Sequence, residues 1–300
     1  MVLPPSTNTS SKTSHIRQDA ALAGYLATDD HRAFLHDKTR LDALADAIAT
    51  YAEDRGATTF SWDVFDTALL REPKSEGRRF YTMASAFAER MKREDIAPDF
   101  TAEDALLARA QAAQASYRMA RPKHGNREGT LTEIATIACM LLRCPDHIET
   151  YIETEMGVEA DSLTSNPLLP ALAKRLPDMN MMFVSDMYIE GPHIRGLVEA
   201  KLPDINIATL HSSADGLGSK RGGGIFANLE AETGLAGSDI VHLGDSLHSD
   251  FRMPRQHGWQ SLYLPLPETE RDARKACFAK LRTEMKQHNV SLGKYLHFNI

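Results

Sequence analysis

Residues 58–62 form a short strand-like run that stops at Asp63. Thr67 follows four positions later, before the chain turns apolar again at Ala68-Leu69-Leu70. A buried strand of this kind ends by delivering Asp63 to a solvent-facing sheet edge, where its carboxylate can react. Upstream, between residues 16 and 54, the pattern suits two helices. In the second, Leu35, Leu41, Leu44, Ala45 and Ile48 recur at roughly helical spacing, which predicts packing on the core. Residues 1–15 are polar and rich in Ser and Thr, a composition that predicts disorder.

From residue 73 to residue 165 the periodicity is helical throughout. Thr130 and Glu133 have capping-box spacing, in which the hydroxyl and the carboxylate satisfy otherwise unpaired backbone N–H groups. Ile134, Ile137, Ala138 and Leu141 then mark one buried helical face. Thr101 and Asp104 open another helix in the same way, and Pro145 starts a further one with Ile148, Ile152 and Met156 on one side. This block reads as a helical insertion placed directly after the strand that carries Asp63.

After Asn166-Pro167 the pattern changes. Strand-like runs at 181–184, 205–210, 239–243 and 260–264 are separated by helical stretches near 190–201, 222–233 and 249–257. Alternating strands and helices predict an α/β fold, with a parallel sheet covered on both faces. In such sheets the binding crevice lies at the carboxyl ends of the strands, near the switch in strand order. Residues 267–300 read as a C-terminal helical extension, helical around 272–287.

Composition narrows the class. With 42% hydrophobic and 25% charged residues the chain is an ordinary globular protein, and its net charge of −7 argues against nucleic-acid binding. Cys139, Cys144 and Cys277 lack metal-site spacing, so they read as reduced thiols of a cytoplasmic protein. The first residues lack the apolar core of a signal peptide, and no apolar run approaches membrane-spanning length. The Asn8-Thr9-Ser10 sequon therefore carries no weight.

Four polar groups fall where the strand-like runs stop: Asp63, Ser185, the Lys220 region, and Asp245 with Asp250 in Gly244-Asp245-Ser246-Leu247-His248-Ser249-Asp250. Singly, each has a plain structural reading as a cap, a turn or a solvated surface group. Their order and placement resemble the four motifs of the haloacid dehalogenase superfamily, across nearly everything from Thr58 to Leu264. The resemblance implies a Rossmann-like parallel sheet with an inserted all-helical cap of the C1 type. The core would comprise 16–72 and 166–266, and the cap 73–165. It also implies Asp63 as nucleophile, Ser185 and Lys220 as phosphate contacts, and Mg²⁺ held by Asp63, Asp245, Asp250 and the main-chain carbonyl of Phe65.

The chemistry can be stated apart from the resemblance. A phosphate dianion repels a carboxylate nucleophile, so cations must stand between them. Carboxylates suit Mg²⁺, Lys220 would neutralise the transferring group, and attack by Asp63 would give an aspartyl-phosphate that water hydrolyses. Phe65 stands where many enzymes of this pattern place an aspartate as proton donor, and losing such a donor costs roughly 10²–10⁴ in rate.

Three readings follow. The first is a phosphatase of a small phosphorylated metabolite, with Asp66, His248 or a cap residue supplying the proton or a leaving group good enough to need none. The second is dehalogenase-like attack of Asp63 on carbon, where a halide leaving group needs no proton and an aromatic residue at this position is shared. The third is a catalytically weak binding or interaction protein. The full Gly-Asp-Ser motif with Asp250 favours the first. The stretches 61–67, 185–188 and 220–226 resemble a bacterial group of predicted hydrolases found beside glycosyltransferases, which implies a phosphorylated sugar or polysaccharide intermediate.

Other residues read more plainly. His242 is a hydrogen-bonded core histidine, Gly222-Gly223-Gly224 begins a helix behind Lys220, and Arg71, Arg78, Arg79 and Arg121-Pro122-Lys123-His124 are charge clusters of the insertion. One of those clusters facing the crevice would favour a substrate with additional anionic groups.

Overall fold

A computed structural model of the protein describes residues 20–94 and 100–292. The predicted disorder of 1–15, the Asn8 sequon and the end of the C-terminal extension lie outside these residues. Three helices precede the first strand: α1 (Ala20–Ala27), α2 (His31–His36) and α3 (Lys38–Glu53). Two had been expected from the periodicity. The break arises because Asp30 and Asp37 each accept hydrogen bonds from first-turn backbone N–H groups and so start a new helix.

Strand β1 (Thr59–Trp62) leads through a tight loop to β2 (Leu69–Arg71). The loop is closed by Ala68 N–H to the Asp63 carbonyl and Leu69 N–H to the Val64 carbonyl, with Asp66 in the left-handed region at φ 64°. Four helices follow: α4 (Glu76–Arg93), α5 (Ala102–Met119), α6 (Leu131–Leu141) and α7 (Ile148–Ser162). The Thr101–Asp104 and Thr130–Glu133 capping boxes both form. Pro145 opens a 3-10 turn just ahead of α7.

The block is not helical to its end. Strand β3 (Leu163–Ser165) pairs antiparallel with β2, Leu69 opposite Ser165 and Arg71 opposite Leu163. Each strand has only three residues, too few to show alternation, which is why periodicity missed them. The helices thus leave and re-enter the sheet domain through a narrow two-stranded neck.

The remainder alternates: α8 (Leu168–Arg175), β4 (Asn180–Ser185), α9 (Gly191–Lys201), β5 (Ile207–Ser212), α10 (Gly224–Thr233), β6 (Ile240–Gly244), a π-helical turn (Leu247–Arg252), α11 (Met253–Gln256), β7 (Gln260–Tyr263) and α12 (Glu268–Gln287). The five-stranded sheet has the order β5-β4-β1-β6-β7, and every pair is parallel. Along β4, Met181 and Phe183 join the main apolar core while Met182 and Val184 join a second one with Ile225, Phe226 and Trp259. That alternation is what a strand covered on both faces requires.

The chain runs outward from β1 to β4 and β5, then returns to the other side of β1 as β6 and β7. Strand order therefore switches at β1, and the crevice beyond its carboxyl end is where such sheets bind ligands. Among the described residues no helix is long and apolar enough to cross a membrane.

Candidate active site

Asp63 immediately follows β1, Ser185 ends β4, and Asp245 follows β6, so parallel pairing of the central strands places them side by side. Lys220 arrives from the loop between β5 and α10. These four line one crevice of about 280 Å³, together with Asp250, Phe65, Asp66, Arg71, Asp186 and Arg221. The structure thus brings together every strand-end residue that the sequence singled out.

Lys220 organises the charges. Its Nζ lies 2.6 Å from Asp63 Oδ1 and 2.6 Å from Asp250 Oδ1, with the side chain 1% exposed. The loop carrying it is held by Asp186, whose two carboxylate oxygens accept the Lys220 N–H at 2.7 Å and the Arg221 N–H at 2.8 Å. Helix α10 begins after Gly223, which adopts a φ of +80°.

Asp250 sits in the π-helical turn that follows Gly244. A side chain at Gly244 would fall about 2.3 Å from the Asp250 carboxyl carbon, so only glycine admits this approach. The Asp250 carboxylate also accepts the Ser246 N–H at 2.9 Å. On its far side stands His242, fully buried, with Nε2 at 3.1 Å from Asp250 Oδ1 and Nδ1 at 2.8 Å from Ser61 Oγ. Burial holds the His242 pKa below its ordinary value, so the ring is neutral. A neutral ring facing a carboxylate donates through Nε2–H and accepts the Ser61 hydroxyl at Nδ1. His242→Leu should therefore destabilise the protein by about 1–3 kcal/mol, because Ser61 and Asp250 both lose a buried partner. Urea unfolding reads this directly, and an unchanged midpoint would mean that the two bonds are not made.

Asp63, Asp245 and Asp250 each offer one oxygen, and these atoms lie within 4.8 Å of one another. A trio of hard oxygen donors at such spacing fits Mg²⁺ or a similar cation. The electrostatics agree. Burial pushes the Asp63 pKa up to about 7, with Lys220 opposing and Asp250 reinforcing the shift. Burial likewise holds Asp245 well above the carboxylate range, helped by the charges of Asp63, Asp66 and Asp250. Burial would raise Asp250 as well, but Lys220 and His242 outweigh it and keep that carboxyl ionised. The single ammonium of Lys220 thus faces three carboxylates, two of them short of a counter-charge.

The residues proposed from sequence as proton donors behave differently. Asp66 lines the crevice, yet its two oxygens accept Arg274 N–H groups at 2.9 Å and 2.7 Å. Burial opposes the charged form, but the Arg274 hydrogen bonds and Arg71 prevail and lower its pKa. A carboxylate locked by arginine is a poor proton donor. His248 is exposed, and its Nε2 faces the Arg221 carbonyl at 3.2 Å. Phe65 lines the crevice under the Arg71 guanidinium, 4.0 Å from its ring centre.

Sequence reasoning left one residue of the crevice open and missed two in or beside it. Arg71, read among the charge clusters of which one could face the crevice, is buried, lines the crevice and pairs with Glu159 through its Nε at 2.7 Å. Asp186 showed no signal beyond following Ser185. Glu128, in the α5–α6 connection, approaches Arg221 at 3.7 Å from far along the chain.

No family profile matches this chain, and no curated protein matches it. Solved structures do. A haloacid dehalogenase-like family hydrolase from Xanthomonas campestris is 15% identical, covers 71% of this chain and 85% of its own, and superposes with a TM-score of 0.42. A 2-haloacid dehalogenase from Pseudomonas syringae is 14% identical over 69% of this chain and 86% of its own, TM-score 0.44. A family enzyme from Bacteroides thetaiotaomicron, solved with magnesium and inorganic phosphate, is 11% identical over 69% of this chain and 94% of its own, TM-score 0.43.

Proposed function

We propose that this chain is a Mg²⁺-dependent phosphohydrolase of haloacid dehalogenase type, acting on a small phosphorylated metabolite with Asp63 as nucleophile. One observation carries the reading: three carboxylates meet within 4.8 Å around a buried lysine, at the switch point of a parallel sheet. Three carboxylates facing one ammonium make sense where a cation and a phosphate dianion complete the charge balance.

In this reading Asp63 presents the carboxylate oxygen not held by Lys220 to phosphorus. Lys220 opposes the effect of burial on Asp63 and neutralises the phosphoryl group, and Ser185 donates its hydroxyl to a phosphoryl oxygen. Asp63, Asp245, Asp250 and the Phe65 main-chain carbonyl would hold Mg²⁺, which when bound supplies the positive charge between nucleophile and phosphate. Collapse of the resulting aspartyl-phosphate with water returns Asp63 and releases phosphate. The α4–α7 block serves as a cap over the crevice, excluding water and meeting the leaving group. Three unpaired cysteines are in keeping with a cytoplasmic setting.

The test is turnover of a phosphate-ester panel, including sugar phosphates and an aryl phosphate, with EDTA and Asp63→Asn controls. Phosphate release lost in both controls is the expected result. A second reading, attack of Asp63 on carbon, is favoured by one observation: the crevice places an aromatic ring where a proton donor would stand. Halogenated acids in the same panel distinguish the two, since halide release without a metal requirement would select the second.

Metal binding should depend on pH with a definite sign. The folded-state pKa of Asp63, about 7, lies above its unfolded value, so folding takes up protons and this group's stabilising contribution fades as pH rises through 7. A cation must displace the Asp63 proton below pH 7 and need not above it. Mg²⁺ should therefore raise the melting temperature more at pH 8 than at pH 6, with apparent affinity changing by about tenfold for each proton displaced per pH unit. An equal or reversed shift would count against carboxylate ligation at this site.

A further inference from the structure

We propose that Glu128, a residue of the helical block, is the general acid and base of this site, taking the part that Phe65 cannot play. The inference rests on the phosphohydrolase reading above and deepens it.

Elimination comes first. Of the ionisable side chains lining the crevice, Asp63, Asp245 and Asp250 belong to the nucleophile and the metal site, and Lys220 is paired with two of them. Asp66 is held by Arg274, and both Asp186 oxygens are occupied by backbone N–H groups. None of these is free to hand a proton to a leaving group. The donor has to come from beyond the crevice lining.

Glu128 stands next to Arg221, one of the crevice residues. The segment that carries it lies directly on the Lys220 loop: a side chain at Gly222 would collide with Asn126, and one at Gly224 with the His124 carbonyl. Its Oε1 is 3.7 Å from Arg221, a crevice residue, and its Oε2 accepts the Ser213 hydroxyl at 3.4 Å. The side chain is 11% exposed and lines a separate pocket of about 340 Å³. Burial raises its pKa, with the Asp186 charge reinforcing the rise and Arg221 and the Ser213 and Ser219 hydroxyls opposing it. A carboxyl so placed retains its proton more readily than an exposed one, as a general acid must.

The chemistry balances without another reagent. As Asp63 bonds to phosphorus and the bond from phosphorus to the leaving oxygen breaks, the Glu128 proton passes to that oxygen and an alcohol departs. Water then attacks the aspartyl-phosphate, its proton returns to Glu128, and phosphate leaves.

The experiment compares wild type, Glu128→Gln and Glu128→Asp on an alkyl phosphate and on p-nitrophenyl phosphate, with acid quench of the protein during turnover. Glu128→Gln should lose about 10²–10⁴-fold in kcat on the alkyl ester. On the aryl ester, whose leaving group needs no proton, it should release a stoichiometric burst of nitrophenol and accumulate phosphorylated protein. Glu128→Asp should recover part of the alkyl activity. An unchanged alkyl-to-aryl ratio with no accumulated phosphoprotein in Glu128→Gln overturns this assignment alone. A wild-type protein inert toward every ester with Mg²⁺ overturns the phosphohydrolase reading, and this assignment with it.

Discussion

Asp63→Asn should reduce phosphate-ester turnover to background while leaving the protein folded. The amide keeps an oxygen that accepts the Lys220 ammonium, now 2.6 Å from Asp63 Oδ1, and matches the carboxyl in shape. What it removes is the nucleophilic charge and one of the three clustered carboxylates. Burial holds the Asp63 pKa near 7, so the ionised form is disfavoured in the fold. Replacing it with a neutral isostere removes that strain above pH 7. In the absence of Mg²⁺ at pH 8, the variant should melt at the wild-type temperature or above it, and the Mg²⁺-induced rise should largely vanish. Residual turnover near wild type would show that another group attacks the substrate.

Lys220→Met should be the most destabilising substitution at the site. The ammonium is buried, and among the described residues it alone bridges Asp63 and Asp250. Its pKa is raised because, against the cost of burial, Asp250 and Asp63 stabilise the charged form. Removing one partner of such a buried arrangement costs about 3–5 kcal/mol, because the remaining charges stay desolvated and unpaired. For a chain of 300 residues that is a drop of several degrees in melting temperature. Raising Mg²⁺ should recover more of this loss than it adds to wild type, since a cation can replace the missing charge. Activity should be lost even where stability is recovered, because the phosphoryl group loses its fixed cation. A variant as stable as wild type without metal would mean that the carboxylates are protonated, contrary to the ionised Asp250.

What could be read from sequence follows from how far apart the interacting groups lie along the chain. Asp63, Ser185 and Asp245 were legible because each ends an apolar strand run, and a parallel sheet aligns strand ends. The role of His242 as a buried histidine was legible too, since it sits mid-strand among apolar neighbours. Its bonds to Ser61 and Asp250 were not, because pairing of β1 with β6 decides them. The Asp66–Arg274 pair joins residues 208 positions apart, and no local pattern announces it. Without it, Asp66 looks like the nearest proton donor. Arg71 was left open for a related reason. Glu72 and Lys74, which follow it, are exposed and charged, whereas the three-residue neck strand turns it inward beside Phe65. Asp30 and Asp37 are a different case, since their capping was written locally and the weak periodicity between them hid the break in the helix.

The most direct measurement is acid quench of the protein during Mg²⁺-supported turnover of a phosphate ester, followed by peptide mass spectrometry. The account predicts one added phosphoryl group on the peptide carrying Asp63, absent with EDTA and absent in Asp63→Asn. Sustained ester hydrolysis with Asp63 never phosphorylated, or with the phosphoryl group on a different residue, would contradict it.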